Sequence, residues 1–256
     1  AQVSRGSATA FGSIVHAIAE FVAKGELSQD EQQIRELING SWQALAYEAD
    51  WQSQADLVQA YKAAELFLNY HNLTPRVFKE AEGEYRTELT VTTPSGKQEA
   101  IELSGILDRI EIDDNGRLVA IDFKNMKNPP SKAEITENGQ LGIYQLLLRD
   151  QQDFEVTADF SQQETIPVGA ALVQLRVDAS EARVQPQEAI NFSETPTWIE
   201  VKLGQAAEII RTEAFFPRVN PSCRYCSYKS VCPTTSMDVL SRDLINGGEN
   251  GDDSFN

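Results

Sequence analysis

LSGILDRIEIDDNGRLVAIDFK, residues 103–124, decides how this chain is read. Its first half is β-branched and apolar at alternating positions, Asn115-Gly116 is a turn dipeptide, and RLVAIDFK resumes the strand pattern, which together predict a β-hairpin. Register then sets the chemistry. A two-residue Asn-Gly turn pairs Asp108 with Phe123 and puts Asp108 and Asp122 on opposite faces, because side chains alternate along a strand. A three-residue loop, Asp114-Asn115-Gly116 with Gly116 in the left-handed position, instead sets Asp108 across from Asp122 and leaves Lys124 two residues further on the same face. The second register is the one expected. Directly opposed carboxylates lie roughly 5 Å apart at Cβ and repel unless a cation sits between them. Oxygen ligation beside a phosphate suits Mg2+. Ile110, Ile112, Leu118 and Ala120 continue that face, and apolar neighbours lower the local dielectric and tighten ion binding. The plainer alternative is a pair of solvated strand-end acids in an acidic chain.

Two further segments bear on that choice. In FGSIVHAIAEFV (11–22), Phe11, Ile14, Val15, Ile18 and Val22 recur at helical spacing as one apolar stripe. Gly12, His16 and Glu20 form a second surface of the same helix, away from the stripe. GQLGIYQLLL (139–148) also reads as a helix, with Gln140 and Tyr144 one turn apart on one face. Tyr144 could serve the core, whereas a glutamine within an apolar helix needs partners for its amide.

His16, then GILDRIE (105–111) with Asp108, then IDFK (121–124) with Asp122 and Lys124, then Gln140-x3-Tyr144 resemble the RecB-type branch of the PD-(D/E)XK nucleases. The resemblance runs from about residue 10 to 233. The C-terminal part, ALVQLRV (171–177), a helix over 198–213, Phe215 and NPSCRYCSYKSVCP (220–233), is similar to the nuclease domains closing the AddB and AdnA/AdnB helicase–nuclease subunits. The resemblance implies an α/β fold of restriction-endonuclease type: a mixed central sheet with helices on both sides, a helical N-terminal part (1–75), a catalytic core (76–178) and a C-terminal helix with a cysteine cluster (197–233). It further implies a magnesium-dependent deoxyribonuclease, an exonuclease of single-stranded DNA ends delivered by the helicase domain of a parent polypeptide that works with a partner subunit in break repair. By the same resemblance Asp108, Asp122, His16 and the Phe123 carbonyl bind Mg2+ or Mn2+. Lys124 orients or deprotonates the attacking water, and Gln140 and Tyr144 position the strand. Glu82 or Glu84 adds an acid near the site.

Cys223, Cys226 and Cys232 are the whole cysteine content, compressed into ten residues. Such clustering implies a metal, and an odd count without a secretory leader argues against a disulfide framework. Zinc normally takes four ligands, and neither His16 nor His71 is near in sequence. In the resembling nucleases a [4Fe-4S] cluster is held by these three cysteines and one ahead of the histidine-bearing helix. Here that fourth cysteine is missing. Either it preceded Ala1 in a longer polypeptide or the natural protein lacks it, so the cluster is expected to be incomplete, labile or absent.

The 256 residues are 41% hydrophobic, enough for a sizeable core, and no apolar run approaches membrane-spanning length. One domain over residues 1–236 and a disordered acidic tail over 237–256 are expected, in a cytoplasmic protein with no membrane partner. Residues 28–70 read as helices, 78–124 as the strand region with 84–91 leading to the hairpin, and 150–167 and 179–197 as connections. Pro129-Pro130 breaks the chain before the Gln140 helix. With 22 basic and 39 acidic residues the net charge is −17, which opposes nucleic-acid binding. Arg211, Arg218, Arg224 and Lys229 among Phe215, Phe216, Tyr225 and Tyr228 could cradle a single strand, or form a solvated face. Weak affinity for free DNA follows. No phosphate-cradling Gly-Lys-Ser/Thr loop occurs, so ATP-driven unwinding belongs elsewhere. Two rival readings stay open: a catalytically silent nuclease-like module that guides DNA or docks a partner, and a zinc-binding interaction module built on the three cysteines.

Overall fold

LVAIDFK forms a central strand, β3 (Leu118–Lys124), apolar on both sides because both sides are covered. Val119, Ile121 and Phe123 pack with Ala171, Val173 and Leu175 on one face, whereas Leu118 and Ala120 pack with Ala170 and Leu172 on the other. The computed structural model describes residues 7–45, 47, 49–149, 169–193, 195–229, 231, 232 and 234. The remaining strands are β1 (Val77–Thr92), β2 (Gln98–Ile112), β4 (Gly169–Gln174) and β5 (Arg183–Glu188), and the sheet order is β1-β2-β3-β4-β5. β3 and β4 are parallel and all other neighbours antiparallel, so the sheet is mixed.

The first face is covered by α1 (Ser7–Ala23), α2 (Glu31–Trp42) and α3 (Asp50–Leu73). Phe11, Val15, Ile18 and Val22 of α1 are buried there, so the apolar stripe expected from spacing is the packed side. Phe123 meets the rings of Phe67 and Tyr70 edge-on, with centroids 5.3 and 5.9 Å away, which locks the C-terminal end of β3 onto α3. A parallel pair needs a crossover, and the one between β3 and β4 carries α4 (Lys132–Thr136) and α5 (Gly139–Arg149) on the opposite face. Ser131 and Glu134 form a capping box that starts α4.

The hairpin takes the three-residue register. Ile112 faces Leu118 and Arg109 faces Ile121, a pairing that, continued by one residue, sets Asp108 opposite Asp122. The loop is Asp114, Asn115 and Gly116, closed by a hydrogen bond from the Asp113 amide to the Arg117 carbonyl at 3.0 Å. Gly116 has φ 75°, where a side chain would be strained. Asp113 Oδ1 accepts from the amides of Asn115 and Arg117 at 2.9 Å each, fixing the turn.

Several boundaries differ from expectation. β1 begins at Val77, one residue before the expected strand region, and β4 ends at Gln174 rather than 177. The segment 179–197 is not merely a connection, because it contains β5, an edge strand in which Pro186 is tolerated. The connection over 150–167 and the tail over 237–256 lie outside the described residues. The chain divides into two compact units, Ala1–Gly204 and Gln205–Asn256. The first holds the sheet and α1–α5. The second, taken by itself, holds the later part of α6 (Trp198–Arg211) and a 3-10 turn, Pro221–Tyr225. Among the described residues no helix is long and apolar enough to cross a membrane.

Candidate active site

Asp108 sits where β2 pulls away from β3, and its carboxylate turns back to the sheet. Its Oδ2 accepts the backbone N–H of Phe123 at 2.8 Å and lies 3.3 Å from His16 Nδ1. On the other side of β2, β1 pairs Ala81 with Arg109 and Gly83 with Leu107, which brings Glu82 level with Asp108. Between the two candidates, Glu82 is therefore the site acid, and Glu84 stands two residues away opposite Ile106. One ligating atom each from His16, Glu82 and Asp108 lie within 4.8 Å of one another. They line a cleft of about 510 Å³ with Gly12, Glu20 and Ile106, so the second surface of α1 does face the site.

Asp122 is buried, with 1% of its surface exposed. Its Oδ1 accepts from Gln140 Nε2 at 2.9 Å and from the Tyr144 hydroxyl at 3.3 Å, and Gln140 also donates to that hydroxyl at 2.8 Å. Gln140 and Tyr144, four residues apart on α5, thus converge on the acid. Gly105 lets α5 come this close: a Cβ there would stand 3.1 Å from Leu147 Cδ1 and 3.9 Å from Tyr144 Cε1. The Lys124 ammonium pairs with the buried Asp122 Oδ2 at 2.7 Å. Asp122 lies outside the compact group of His16, Glu82 and Asp108. Each acid is held by its own partners.

The electrostatics show strain that a cation would relieve. Burial pushes the Asp122 carboxyl above the usual carboxylate range, the Asp108 charge pushes it the same way, and Lys124 and His16 oppose both. Burial raises Glu82 as well, reinforced by the charges of Asp108 and Glu20. Burial disfavours a charged His16, but the hydrogen bond to Asp108 and the charges of Asp108, Asp122 and Glu82 outweigh it, so its pKa is raised. Oxygen and imidazole donors gathered within 4.8 Å, with excess negative charge, fit a divalent cation.

The structure does not support a cluster at the cysteines of the C-terminal unit: among the described residues the grouped potential ligands within 4.8 Å of one another include none of the three sulfurs. Cys223 Sγ accepts the Asn220 amide at 3.3 Å, and Cys232 Sγ lies 3.3 Å from Thr234 Oγ1. In that unit Phe215, Phe216, Tyr225 and Tyr228 are exposed, and the Arg224 guanidinium stands 5.6 Å from the centre of the Tyr225 ring.

Residues 2–233 match the PD-(D/E)XK nuclease superfamily. Among solved structures the chain is similar to one titled "Crystal structure of SSO0001", at 18% identity and TM-score 0.39, covering 88% of this chain and 85% of that one. No curated protein matches it.

Proposed function

The chain belongs to the PD-(D/E)XK nuclease superfamily, and we propose that it is a divalent-cation-dependent deoxyribonuclease that hydrolyses phosphodiester bonds at the cleft between α1 and the β1–β2 arm. The observation that carries this reading is the grouping of His16, Glu82 and Asp108 within 4.8 Å, beside a buried Asp122 already paired with Lys124. His16, Asp108, Asp122, Glu82 and the Phe123 carbonyl hold Mg2+ or Mn2+. The ion, when bound, acts as Lewis acid on the phosphoryl oxygen and lowers the pKa of water. Lys124 orients the attacking water or takes its proton, and its charge stabilises the oxyanion that builds up in the transition state. Gln140 and Tyr144 hold Asp122 in place from α5 and face the strand as it enters.

In this reading the substrate is a single-stranded DNA end, digested as an exonuclease would. A helicase domain of a parent polypeptide and a partner subunit deliver the strand during break repair in the cytoplasm. The exposed aromatics and arginines of the C-terminal unit stack bases and neutralise phosphates. Supporting this division of labour is the acidic balance of the chain, 39 acidic against 22 basic residues, which leaves it poorly equipped to capture DNA alone.

Incubation of linear and single-stranded DNA with the purified chain, Mg2+ and either no chelator or EDTA tests the reading. Cleavage is expected with free Mg2+ only, and Asp122→Ala should lower the rate by at least about 10³-fold. Unchanged Mg2+-dependent cleavage by Asp122→Ala would sink the assignment.

A further inference from the structure

Two relays of glutamine amides cross the α5 face of the sheet, and they end differently. In the first, Gln187 Nε2 donates to the carbonyls of Ile135 at 2.8 Å and Asn138 at 3.2 Å, and a carbonyl can only accept. Its Oε1 is thereby turned to Gln145 Nε2 at 2.9 Å, and Gln145 Oε1 accepts the Ile190 amide at 2.8 Å. This relay is closed at both ends. In the second, Gln185 Nε2 donates to the Pro130 carbonyl at 2.7 Å, which turns Gln185 Oε1 to Gln174 Nε2 at 3.0 Å. There it stops. Gln174 is fully buried, and its Oε1 has no hydrogen-bond partner.

An open acceptor inside a protein is rare enough to require a reason. The register supplies one. Gln174 pairs with Lys124 across the parallel β3–β4 ladder, and registered residues of a parallel pair share a face. The Gln174 Nε2 is committed to Gln185 on β5, and its buried oxygen is uncommitted one strand away from Lys124. Both amide atoms of Asn125, just past the same end of β3, are likewise buried without hydrogen-bond partners.

We propose that Gln174 is a positioning residue for Lys124: its Oε1 receives the Lys124 ammonium when a divalent cation takes Asp122. Without the cation, the ammonium sits 2.7 Å from Asp122 Oδ2. A cation on that carboxylate repels the ammonium and claims the lone pair, so Lys124 needs another acceptor close by. A neutral amide serves better than an acid would, because it accepts the ammonium without competing for the cation. The inference rests on the nuclease reading only for what Lys124 does next, since the exchange itself requires nothing but cation binding at Asp122.

Calorimetric titration of Ca2+, a probe that needs no turnover, into the wild type, Gln174→Met, Lys124→Met and the double variant tests it. Gln174→Met should weaken Ca2+ binding about five- to tenfold, and the same substitution should have no effect in the Lys124→Met background. Gln187→Met, which breaks the closed relay, should change affinity equally in both backgrounds. A loss from Gln174→Met that is the same with and without Lys124, or no loss, overturns the proposal. If thermal melting shows that Gln174→Met does not fold, Gln185→Leu takes its place, because it frees the Gln174 amide without altering that residue. A smaller loss that needs Lys124 is then expected, and a loss independent of Lys124 overturns the idea. A wild type that shows the coupling but cuts no DNA removes the nuclease reading and leaves the proposal standing. Cleavage by the wild type with no coupling does the reverse, and a wild type that binds no Ca2+ removes both.

Discussion

Glu82 holds a left-handed backbone, φ 52°, in the middle of a strand, where only glycine is at ease. Such strain, about 1–2 kcal/mol for a residue with a Cβ, persists where the surroundings over-determine it, and here it delivers a carboxylate beside Asp108 and His16. Stability and function should therefore part company. Glu82→Gly is expected to melt at or above the wild-type temperature, because the lost strain offsets the entropy of glycine, whereas Glu82→Ala keeps the strain and melts no higher than wild type. Both should weaken Mn2+ affinity by about tenfold or more, as expected for loss of one charged ligand. Calorimetric melting and Mn2+ titration of the two variants check this, and undiminished Mn2+ affinity in both would remove Glu82 from the ligand set. The choice of Glu82 over Glu84 was not legible in the sequence. Both lie on the same face of one strand, and what separates them is the register set by the turn between Thr93 and Lys97, which runs unbroken from Thr92 opposite Gln98 to Glu80 opposite Ile110 and so puts Glu82, not Glu84, level with Asp108.

One element carries the active acid on a buried ionic anchor. In β2, Arg109 and Glu111 flank Ile110 on the side opposite Asp108, are 1% and 0% exposed, and meet at 2.7 Å. Glu111 also accepts the Tyr70 hydroxyl at 2.9 Å, Arg109 lies 2.9 Å from His71 Nδ1, and its guanidinium stands 4.8 Å from the centre of the Phe78 ring. Removing one partner strands the other, so Glu111→Leu or Arg109→Leu should each destabilise by about 3–5 kcal/mol, while the double variant should lose less than the sum. Denaturant titration of all three decides this, and strict additivity would mean the pair is not coupled. Burial and the Arg109 charge together hold the His71 pKa below its ordinary value. The unfolded chain then binds that proton more readily. The His71 contribution is complete above about pH 6.5 and is lost as pH falls from there toward the depressed folded value. His71→Phe keeps the stack on Phe67, 5.7 Å between centroids, and should flatten the pH dependence of melting across that window. The hairpin was legible because one turn and one glycine fix its register. β5 was not, because in RVQPQE the apolar Val184 and Pro186 are exposed while the inward positions are Gln185 and Gln187, which reach the carbonyls of Pro130 and Ile135 rather than a greasy core. Likewise α4 is too short to show a period. The three clustered cysteines were the most conspicuous local pattern, yet the group of potential ligands that the described residues bring within 4.8 Å is His16, Glu82 and Asp108, drawn from three distant segments.

At the scale of the whole molecule, charge decides how the site meets its substrate. A net charge of −17 repels a phosphate polymer, and the candidate cleft itself is lined by Glu20, Glu82 and Asp108. In the proposed reading, attraction comes from a cation bound at the cleft and from exposed basic and aromatic side chains of the C-terminal unit. Each phosphate neutralised on a single strand contributes about 0.7 to the slope of log affinity against log salt. Contacts confined to two or three phosphates predict a slope no steeper than about −2 and a dissociation constant for a single-stranded oligonucleotide no tighter than about 10⁻⁶ M near physiological salt. Fluorescence anisotropy of a labelled oligonucleotide with the Asp122→Ala chain, titrated in Ca2+ and again in EDTA, separates the cation's share from the rest. Binding by the wild type with Ca2+ should exceed that of the variant, and EDTA should bring the two together. Tight binding that survives EDTA, with a steep salt slope, would instead locate a substantial basic surface on this chain and remove the need for a partner that delivers the strand.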